Sequence, residues 1–187
     1  MQNVVLQDNH AVNGAGISAE GSATVRMINV VVANNRAQNG CGGVYLAGAN
    51  GIVKGTIKNS TITNNAASYL AGGVCVANGA VLNLVNSIVW NNSLAEVARP
   101  WAGILSVSYS DVGESSFAGP GNISAFPRFL DPANRDYRLR GASPAVDAGT
   151  NTGAPRTDLR GITRPLDGNG DGTAITEMGA YEFGKIF

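Results

Sequence analysis

Charged and aromatic residues are scarce in this chain, and it contains no long hydrophobic run. Charged residues account for 14% of the sequence, aromatic residues for 6%, and the formal net charge is zero. This balance argues against a nucleic-acid-binding surface, which needs an excess of basic side chains. No run approaches the ~18 apolar residues of a membrane span, so we expect no such span. Helix signals are also poor, because Gly, Asn and Pro interrupt every apolar pattern longer than ~10 residues.

The residue types that most often carry catalysis are equally rare. The only histidine is His10, and its position favours an ordinary turn residue. The sequence has no serine–histidine–acid order, no phosphate-binding glycine loop and no zinc-ligand spacing. The sequence therefore does not indicate a particular reaction.

A pair of asparagines that returns once per repeat is the main feature of the sequence. The first asparagine recurs at intervals of 26, 30 and 27 residues, and the second always follows six positions later. A fixed offset inside a variable period indicates a solenoid with constant coils and variable loops. Because each amide both donates and accepts hydrogen bonds, stacked asparagines can bond along the axis. We predict two structural ladders, formed by Asn3, Asn29, Asn59 and Asn86, and by Asn9, Asn35, Asn65 and Asn92.

Apolar columns and glycine steps support the same architecture. An aliphatic residue stands three positions after each member of the first ladder, and a glycine precedes a short strand with alternating apolar residues. The aliphatic column is Leu6, Val32, Ile62 and Val89, and the glycine steps are Gly16, Gly43 and Gly73. Stacked coils are needed to bury such columns. We therefore predict an all-β, parallel β-helix of about four to five coils, right-handed by the general preference of parallel crossovers.

The repeat pattern ends partway along the chain. Residues 1–112 are predicted to form the coils, with Tyr109 in the first asparagine column of a degenerate last coil. Residues 113–187 are rich in Gly, Pro, Asp and Arg, and we expect an irregular C-terminal segment that caps the last coil. Tyr181 and Phe183 are expected in a final strand. The two regions together are predicted to form one structural domain.

The two cysteines are predicted to be unpaired. Cys41 stands two residues before its glycine step and Cys75 two residues after the next one, which offsets them by four positions in stacked strands. At ~3.3 Å per strand residue this separation is ~13 Å, which is too long for a disulfide. We expect two small thiols that are buried or partly buried.

Several motifs resemble a known class of repeat protein. The stretch 59–65 (NSTITNN), followed by 72–74 (GGV), resembles the repeat of bacterial right-handed parallel β-helix proteins of the pectate-lyase-like superfamily. An ordered series of tail motifs resembles the choice-of-anchor Q domain at the C-terminal end of such helices. The series is 109–112, 121–123, 136–139, 143–149 and 178–183. The resemblance implies an extracellular or cell-surface protein, although it implies no single activity.

The strongest local motif for a ligand is 167–172 (DGNGDG). Its alternating acids and amides, with glycine at the sixth position, match the first half of a calcium loop. The twelfth position holds a methionine, and Glu177 stands one residue early. Two interpretations stay open: a calcium site formed by Asp167, Asn169, Asp171 and Glu177, or a turn rich in Asp, Asn and Gly without metal. No other cofactor is predicted.

Two functions of different kinds fit the sequence. A polysaccharide lyase or glycoside hydrolase acting in a groove along the coils would need paired carboxylates, or a base beside an acid-held cation. The coils carry no recurrent acid column, and the remaining candidates, Glu96, Arg99 and Asp111, would have to meet near the last coil. We therefore favour a non-catalytic module, either a glycan-binding face or a structural spacer of a larger secreted protein. The aromatic residues considered for stacking on sugar rings are Tyr45, Tyr69, Trp90 and Trp101.

The start of the chain suggests a third role, contact with a partner through the first coil. Met1 is followed almost at once by Asn3, which leaves no room for an N-terminal cap, and no charged-then-apolar signal segment is present. We expect either a piece of a longer solenoid or a first coil that a partner covers. End-to-end self-association predicts a species larger than one chain in solution.

Overall fold

The chain forms a parallel β-solenoid whose successive coils stack along one axis. The computed structural model describes residues 1–114 and 117–184. Strand accounts for 41% and helix for 2%, and the stacked coils make about four turns. The predicted all-β fold of stacked parallel coils is therefore confirmed. In the described ranges, none of the helical structure has the length or apolar character that a membrane span requires.

Most strands are short, and each coil contains several of them. In chain order they are β1 (Gln2–Gln7), β2 (His10–Ala11), β3 (Ile17–Glu20), β4 (Ala23–Ala33), β5 (Arg36–Ala37), β6 (Val44–Ala47), β7 (Val53–Lys58), β8 (Thr61–Thr63), β9 (Ala66–Ala67), β10 (Val74–Ala77), β11 (Val81–Val85), β12 (Ile88–Trp90), β13 (Val97–Ala98), β14 (Ile104–Ser108), β15 (Asp111–Val112), β16 (Phe129–Asp131) and β17 (Asp136–Leu139). A 3-10 helix, Pro132–Asn134, joins β16 to β17, which pair as an antiparallel hairpin.

Three parallel sheets surround the interior of the part that the structure describes. The first sheet joins β1, β4, β7, β8, β11, β12, β14 and β15, the second joins β2, β5 and β9, and the third joins β3, β6, β10 and β13. We number the coils by residue: coil 1 is 2–20, coil 2 is 23–47, coil 3 is 53–77, coil 4 is 81–98, and the partial coil 5 is 104–112.

Equivalent residues of neighbouring coils lie over one another in the interior. Met27 pairs with Ile57, Ile57 with Leu84, and Leu84 with Val107. All four side chains are buried in one apolar core that extends through the coils. Each fully buried aliphatic side chain contributes about 1.5–3 kcal/mol, so the stack of columns stabilises every coil through its neighbours.

The first asparagine column marks a bend in the first sheet. Its four asparagines have φ between 45° and 55°, in the left-handed region that asparagine tolerates better than most residues. Tyr109 occupies the same position in coil 5 with φ of 47°, as predicted from the degenerate repeat. Each coil therefore turns at this column, and the strand segments on its two sides face different directions.

The C-terminal segment packs along the side of the coils. Residues on the outer face of the first sheet form a second apolar cluster with it, and its buried members are Val31, Ala33, Ile88, Phe129, Tyr137, Leu139, Ala145, Met178 and Ala180. Polar contacts extend from coil 1 to coil 4. They include the salt bridge of Asp8 with Arg135 at 3.1 Å and the hydrogen bond of Lys58 Nζ to the Gly153 carbonyl at 2.8 Å.

The expected contact with the last coil involves only the start of this segment. Val112 N–H donates to the Ile123 carbonyl at 3.1 Å, and Ser110 N–H donates to Asn122 Oδ1 at 3.2 Å. The rest of the C-terminal segment runs back along the first sheet, because this path buries the apolar residues on that sheet's outer face. Tyr181 and Phe183, which were predicted to lie in a final strand, lie in irregular chain instead.

The prediction that the cysteines are unpaired is wrong, because Cys41 and Cys75 form a disulfide with a Cα–Cα distance of 5.8 Å. The predicted separation assumed a straight strand across the glycine step. In the structure the chain turns a corner at Gly72 and Gly73, between the second and third sheets. Cys41 therefore pairs with Ala71 before the corner, while Cys75 lies after it and still comes within bonding distance.

Candidate functional site

The second asparagine column forms a continuous hydrogen-bonded ladder. Asn9, Asn35 and Asn65 each donate Nδ2–H to the Oδ1 atom of the next asparagine at 2.9 Å. The same Oδ1 atoms accept the backbone N–H of the preceding asparagine at 2.9–3.0 Å. Asn92 ends the ladder by donating to Glu96 Oε2 at 2.5 Å. These amides are therefore committed to holding the coils together.

The first asparagine column bends the coils and holds the tail. Asn29 Nδ2 donates to Asn3 Oδ1 at 3.0 Å, and Asn86 Nδ2 donates to Asn59 Oδ1 at 3.5 Å. Asn29, Asn59 and Asn86 also donate to carbonyl oxygens of the C-terminal segment at 2.7–3.4 Å. The amide donors of this column are therefore used within the protein, while Asn29 Oδ1 is buried and has no partner among the described residues.

Two further polar columns were not predicted. Serines directly after the first asparagine column accept the backbone N–H of the previous coil at 3.1–3.2 Å and donate to a carbonyl two residues back. They are Ser60, Ser87 and Ser110. Asparagines directly before the second column have φ between 56° and 59°. They are Asn34, Asn64 and Asn91. The asparagine set could have been predicted from the Asn-Asn dipeptide that recurs in coils 2, 3 and 4.

The three candidate catalytic residues lie around the end of the ladder, and two of them are buried. Glu96 is 5% exposed and Asp111 is 0% exposed. The Glu96 carboxylate accepts from Asn92, and Asp111 Oδ1 accepts the Ala125 N–H at 3.0 Å. Arg99 is exposed, and it forms no salt bridge within the described residues. The two acids are near each other, and the arginine is not bonded to either.

The burial of these acids favours their neutral forms. Burial raises the pKa of Asp111 to about 7, and the nearby charge of Glu96 adds to the rise. Burial also raises the pKa of Glu96, although hydrogen bonds from Asn92 oppose the shift. Within the described residues, Asp111 Oδ2 has no hydrogen-bond partner. Both side chains are buried, so neither carboxyl group is accessible to a polymer on the surface.

Asp111 is expected to make the free energy of unfolding fall as the pH rises from about 4 to about 7. The folded protein keeps the proton up to about pH 7, whereas the unfolded carboxyl ionises near its ordinary pKa of 3.8. Asp111→Asn keeps the acceptor for Ala125 and removes the proton. The urea midpoint of this variant should therefore depend less on pH in that range. Glu20→Gln, an exposed control, should keep the wild-type slope, and an unchanged slope in Asp111→Asn would contradict the expectation.

The loop 167–172 uses its acidic oxygens to bind its own backbone. Asp167 Oδ1 accepts the Gly170 N–H at 2.6 Å, and Oδ2 accepts the Gly172 N–H at 2.9 Å. Asp171 Oδ1 accepts a further backbone N–H at 2.8 Å. No group of three or more His, Cys, Asp or Glu side chains in residues 1–114 and 117–184 could hold a metal ion. In this conformation the oxygens of Asp167 and Asp171 accept backbone N–H groups, and calcium binding at Asp167, Asn169, Asp171 and Glu177 stays a prediction.

Glu177, the fourth predicted calcium ligand, is fully buried beneath this loop. Neither carboxyl oxygen has a hydrogen-bond partner among the described residues. Burial raises the pKa of Glu177 most, and together with the adjacent Glu182 it brings that pKa to about 10. Glu177 Oε1 lies 2.7 Å from the point where a Cβ at Gly168 would stand, so a larger residue there would require the Glu177 side chain to shift. Its burial therefore favours the neutral form of the carboxyl, which packs within the tail.

A buried ion pair stands beside this neutral acid. Arg164 Nη1 donates to Glu182 Oε1 at 2.7 Å, and neither side chain is exposed. Arg164 also donates to the carbonyls of Glu177 and Gly179 at 3.2 and 3.0 Å. The remaining Glu182 oxygen accepts the Leu166 N–H at 3.1 Å. This network joins the tail motif 178–183 to the preceding turns.

Aromatic side chains form an open cavity beside the third sheet. Tyr69 is 68% exposed and Trp101 is 58% exposed. With Tyr45, Asn13 and Asn39 they line a cavity of about 330 Å³. We call this set of five residues the aromatic patch. It combines flat apolar rings with amide groups, as sites that bind small polar molecules commonly do.

The aromatic patch rests on the disulfide. Tyr45 and Leu70 pack against the small buried cluster of Cys41, Ala71 and Cys75. The fourth predicted stacking residue, Trp90, lies elsewhere, half-buried, with its ring 6.2 Å from that of Phe126 in an edge-on contact. Three of the four aromatic residues considered from the sequence therefore meet in one place.

The fold and its polar columns define a class of protein, the parallel β-solenoids whose coils are joined by buried asparagine amides. Comparison of the chain with protein families, with curated proteins and with solved structures gives no significant match. Function is therefore inferred from the surfaces of the chain itself.

Proposed function

We propose that this chain is a non-catalytic surface module that binds a glycan through the aromatic patch. The observation that carries the proposal is the placement of Tyr69 and Trp101, two largely exposed rings that line the same cavity as Tyr45. A sugar ring presents an apolar face of C–H groups, which stacks well on an aromatic ring. A cluster of exposed aromatic residues is typical of a surface that binds a ligand or partner, whereas single exposed rings are common.

The polar residues of the patch suit a neutral sugar. Asn13 and Asn39 offer amide donors and acceptors, which can bond hydroxyl groups in either direction. Among the residues that the structure describes, no acidic or basic side chain lines the cavity. The disulfide beneath Tyr45 and Leu70 holds this surface in place, which lowers the entropy lost when a ligand binds.

The proposal includes an extracellular or cell-surface location. A disulfide between Cys41 and Cys75 supports it, because such bonds persist mainly in oxidising compartments. The resemblance to right-handed, pectate-lyase-like β-helices with a choice-of-anchor Q tail points the same way. Two glycines of the tail motifs make backbone hydrogen bonds: Gly149 N–H donates to the Thr176 carbonyl within the tail, and Gly179 N–H donates to the Asn86 carbonyl of coil 4.

The alternative of a polysaccharide lyase or glycoside hydrolase has weaker support. Glu96 caps the asparagine ladder, and Asp111 is sealed from solvent. Hydrolysis requires two carboxylates about 5–10 Å apart on either side of an accessible bond. Incubation with neutral and uronic-acid polysaccharides, followed by assays for new reducing ends and unsaturated products, tests this alternative. Turnover that Asp111→Asn abolishes would replace the proposed module with an enzyme.

Glycan binding is expected to depend on the two exposed rings. Tyr69→Ala and Trp101→Ala should each weaken binding about tenfold, which corresponds to about 1.4 kcal/mol. The probes are neutral β-linked hexasaccharides of glucose, xylose and mannose, with calorimetry and Trp101 fluorescence as readouts. Tyr69→Phe keeps the ring and should retain most of the affinity.

Phe126→Ala is the matched control for these variants. Phe126 is 64% exposed but does not line the patch, so its removal should leave glycan affinity unchanged. The proposal fails if none of the hexasaccharides binds, or if Phe126→Ala weakens binding as much as Tyr69→Ala does.

A further inference from the structure

A second surface, beside the second sheet, contains two adjoining cavities. The larger measures about 620 Å³ and has a floor of small residues from coils 1 to 4, including Ala37, Ala67 and Ser93. The smaller measures about 310 Å³ and lies between the coils and the β16–β17 hairpin. His10 and Arg36 line both cavities. The two spaces therefore form one cleft, with these side chains at its junction.

The fold places the polar residues of the cleft on opposite sides. His10 and Arg36 are paired on neighbouring strands β2 and β5, so their side chains project from adjacent coils. Arg135 approaches from the hairpin, where it follows the 3-10 helix with φ of 65°. Its guanidinium pairs with Asp8 at 3.1 Å. Two arginines and a histidine thus converge on a space that contains one carboxylate.

The charge of this cleft is not balanced. Of the described residues, Asp8 is the one acidic residue that lines the smaller cavity, and Arg135 pairs with it. Arg36 is exposed, and in the described ranges its guanidinium has no salt-bridge or hydrogen-bond partner. Guanidinium groups bind oxyanions through two parallel N–H donors. Because the Arg36 guanidinium has no protein partner, it is available to bind an oxyanion in the cavity.

We propose that this cleft binds a sulfate or phosphate monoester of a sugar-sized molecule. The oxyanion occupies the smaller cavity, where Arg36, His10 and Arg135 present donors from separate directions. Three converging donors match the three terminal oxygens of a tetrahedral ester better than the two coplanar oxygens of a carboxylate. The body of the ligand lies on the alanine and serine floor of the larger cavity, whose volume is in the range of small-molecule sites.

This site is independent of glycan binding at the aromatic patch. The two sites are formed by different side chains, since Val12, Gln38 and Ser68 line the cleft while their chain neighbours Asn13, Asn39 and Tyr69 line the patch. A substitution at one site therefore removes no lining side chain of the other, and the two proposals can fail separately.

The test measures binding of four probes to the full chain by calorimetry: glucose 6-phosphate, glucose 6-sulfate, galacturonate and inorganic phosphate. We expect the two esters to bind best, and Arg36→Gln to weaken them by about tenfold or more because a charge-assisted contact is lost. Arg36→Lys should keep part of the affinity, since it retains the charge without the planar fork. Arg26→Gln, an exposed arginine that does not line the cleft, is the matched control and should bind normally.

The four probes distinguish the kinds of molecule that could supply the oxyanion. Ester binding above that of inorganic phosphate supports a ligand whose body occupies the larger cavity. Equal binding of inorganic phosphate and the esters would overturn that part of the proposal, and equal binding of galacturonate would overturn the tetrahedral preference. Absence of ester binding, or the same loss in Arg26→Gln as in Arg36→Gln, would overturn the site altogether. Thermal melting of each variant checks that the fold is retained.

Discussion

Arg164→Met is expected to lower the free energy of unfolding by about 3–5 kcal/mol, because it leaves a buried carboxylate without its cation. Arg164 and Glu182 are both fully enclosed, and Arg164 additionally binds two carbonyl oxygens of the tail. The methionine fills similar volume but donates no hydrogen bond. Urea denaturation followed by circular dichroism measures the loss.

Two matched variants make this prediction specific. Arg138→Met removes an ion pair with Asp136 that is partly exposed, and it should lower stability by no more than about 1 kcal/mol. The double variant Arg164→Met/Glu182→Gln removes both charges and should recover part of the stability that Arg164→Met loses. Equal stability of Arg164→Met and Arg138→Met would show that the enclosed pair contributes little.

The double variant Cys41→Ala/Cys75→Ala is expected to be less stable than the wild type by about 3–4 kcal/mol. The disulfide closes a loop across a sequence separation of 34 residues, and its removal lets the unfolded chain explore many more conformations. Chemical denaturation of the oxidised wild type and the double variant measures the difference.

A reducing agent provides the control for this second prediction. Reduced wild type should approach the stability of the double variant, while the double variant itself should not respond to the reductant. Because Tyr45 and Leu70 pack on the disulfide, the same variant should also weaken glycan binding at the aromatic patch. If the double variant is as stable as the oxidised wild type, coil stacking alone is sufficient to hold the corner at Gly72 and Gly73.

The coils were predictable from the sequence because their contacts repeat. Asn35 and Asn65 meet a copy of themselves in the next coil, so a regular spacing is sufficient to predict the ladder. The cysteine pairing was not predictable in the same way, because it depends on the corner at Gly72 and Gly73. A spacing rule that treats the chain as straight misplaces any side chain beyond such a corner.

The candidate sites were less predictable because they depend on contacts between distant parts of the chain. Asn29 binds the Thr157 carbonyl across 128 residues, and no periodicity in the tail indicates that contact. The cleft likewise forms only when Arg135 of the hairpin is brought beside Asp8 of the first coil. The aromatic patch was partly foreseen, since Tyr45, Tyr69 and Trp101 were recognised by residue type, but their convergence was not.

The course of the C-terminal segment along the coils determines how the solenoid unfolds. In an ordinary repeat array, terminal coils fray one after another because each touches only its neighbours. Here Arg135 is bonded to coil 1, Tyr137 to Asn34 of coil 2 and Thr150 to Asn86 of coil 4. The C-terminal segment thus links coil 1 to coil 4. Because coil 1 cannot separate without releasing this segment, we expect the coils that it joins to unfold in one cooperative event.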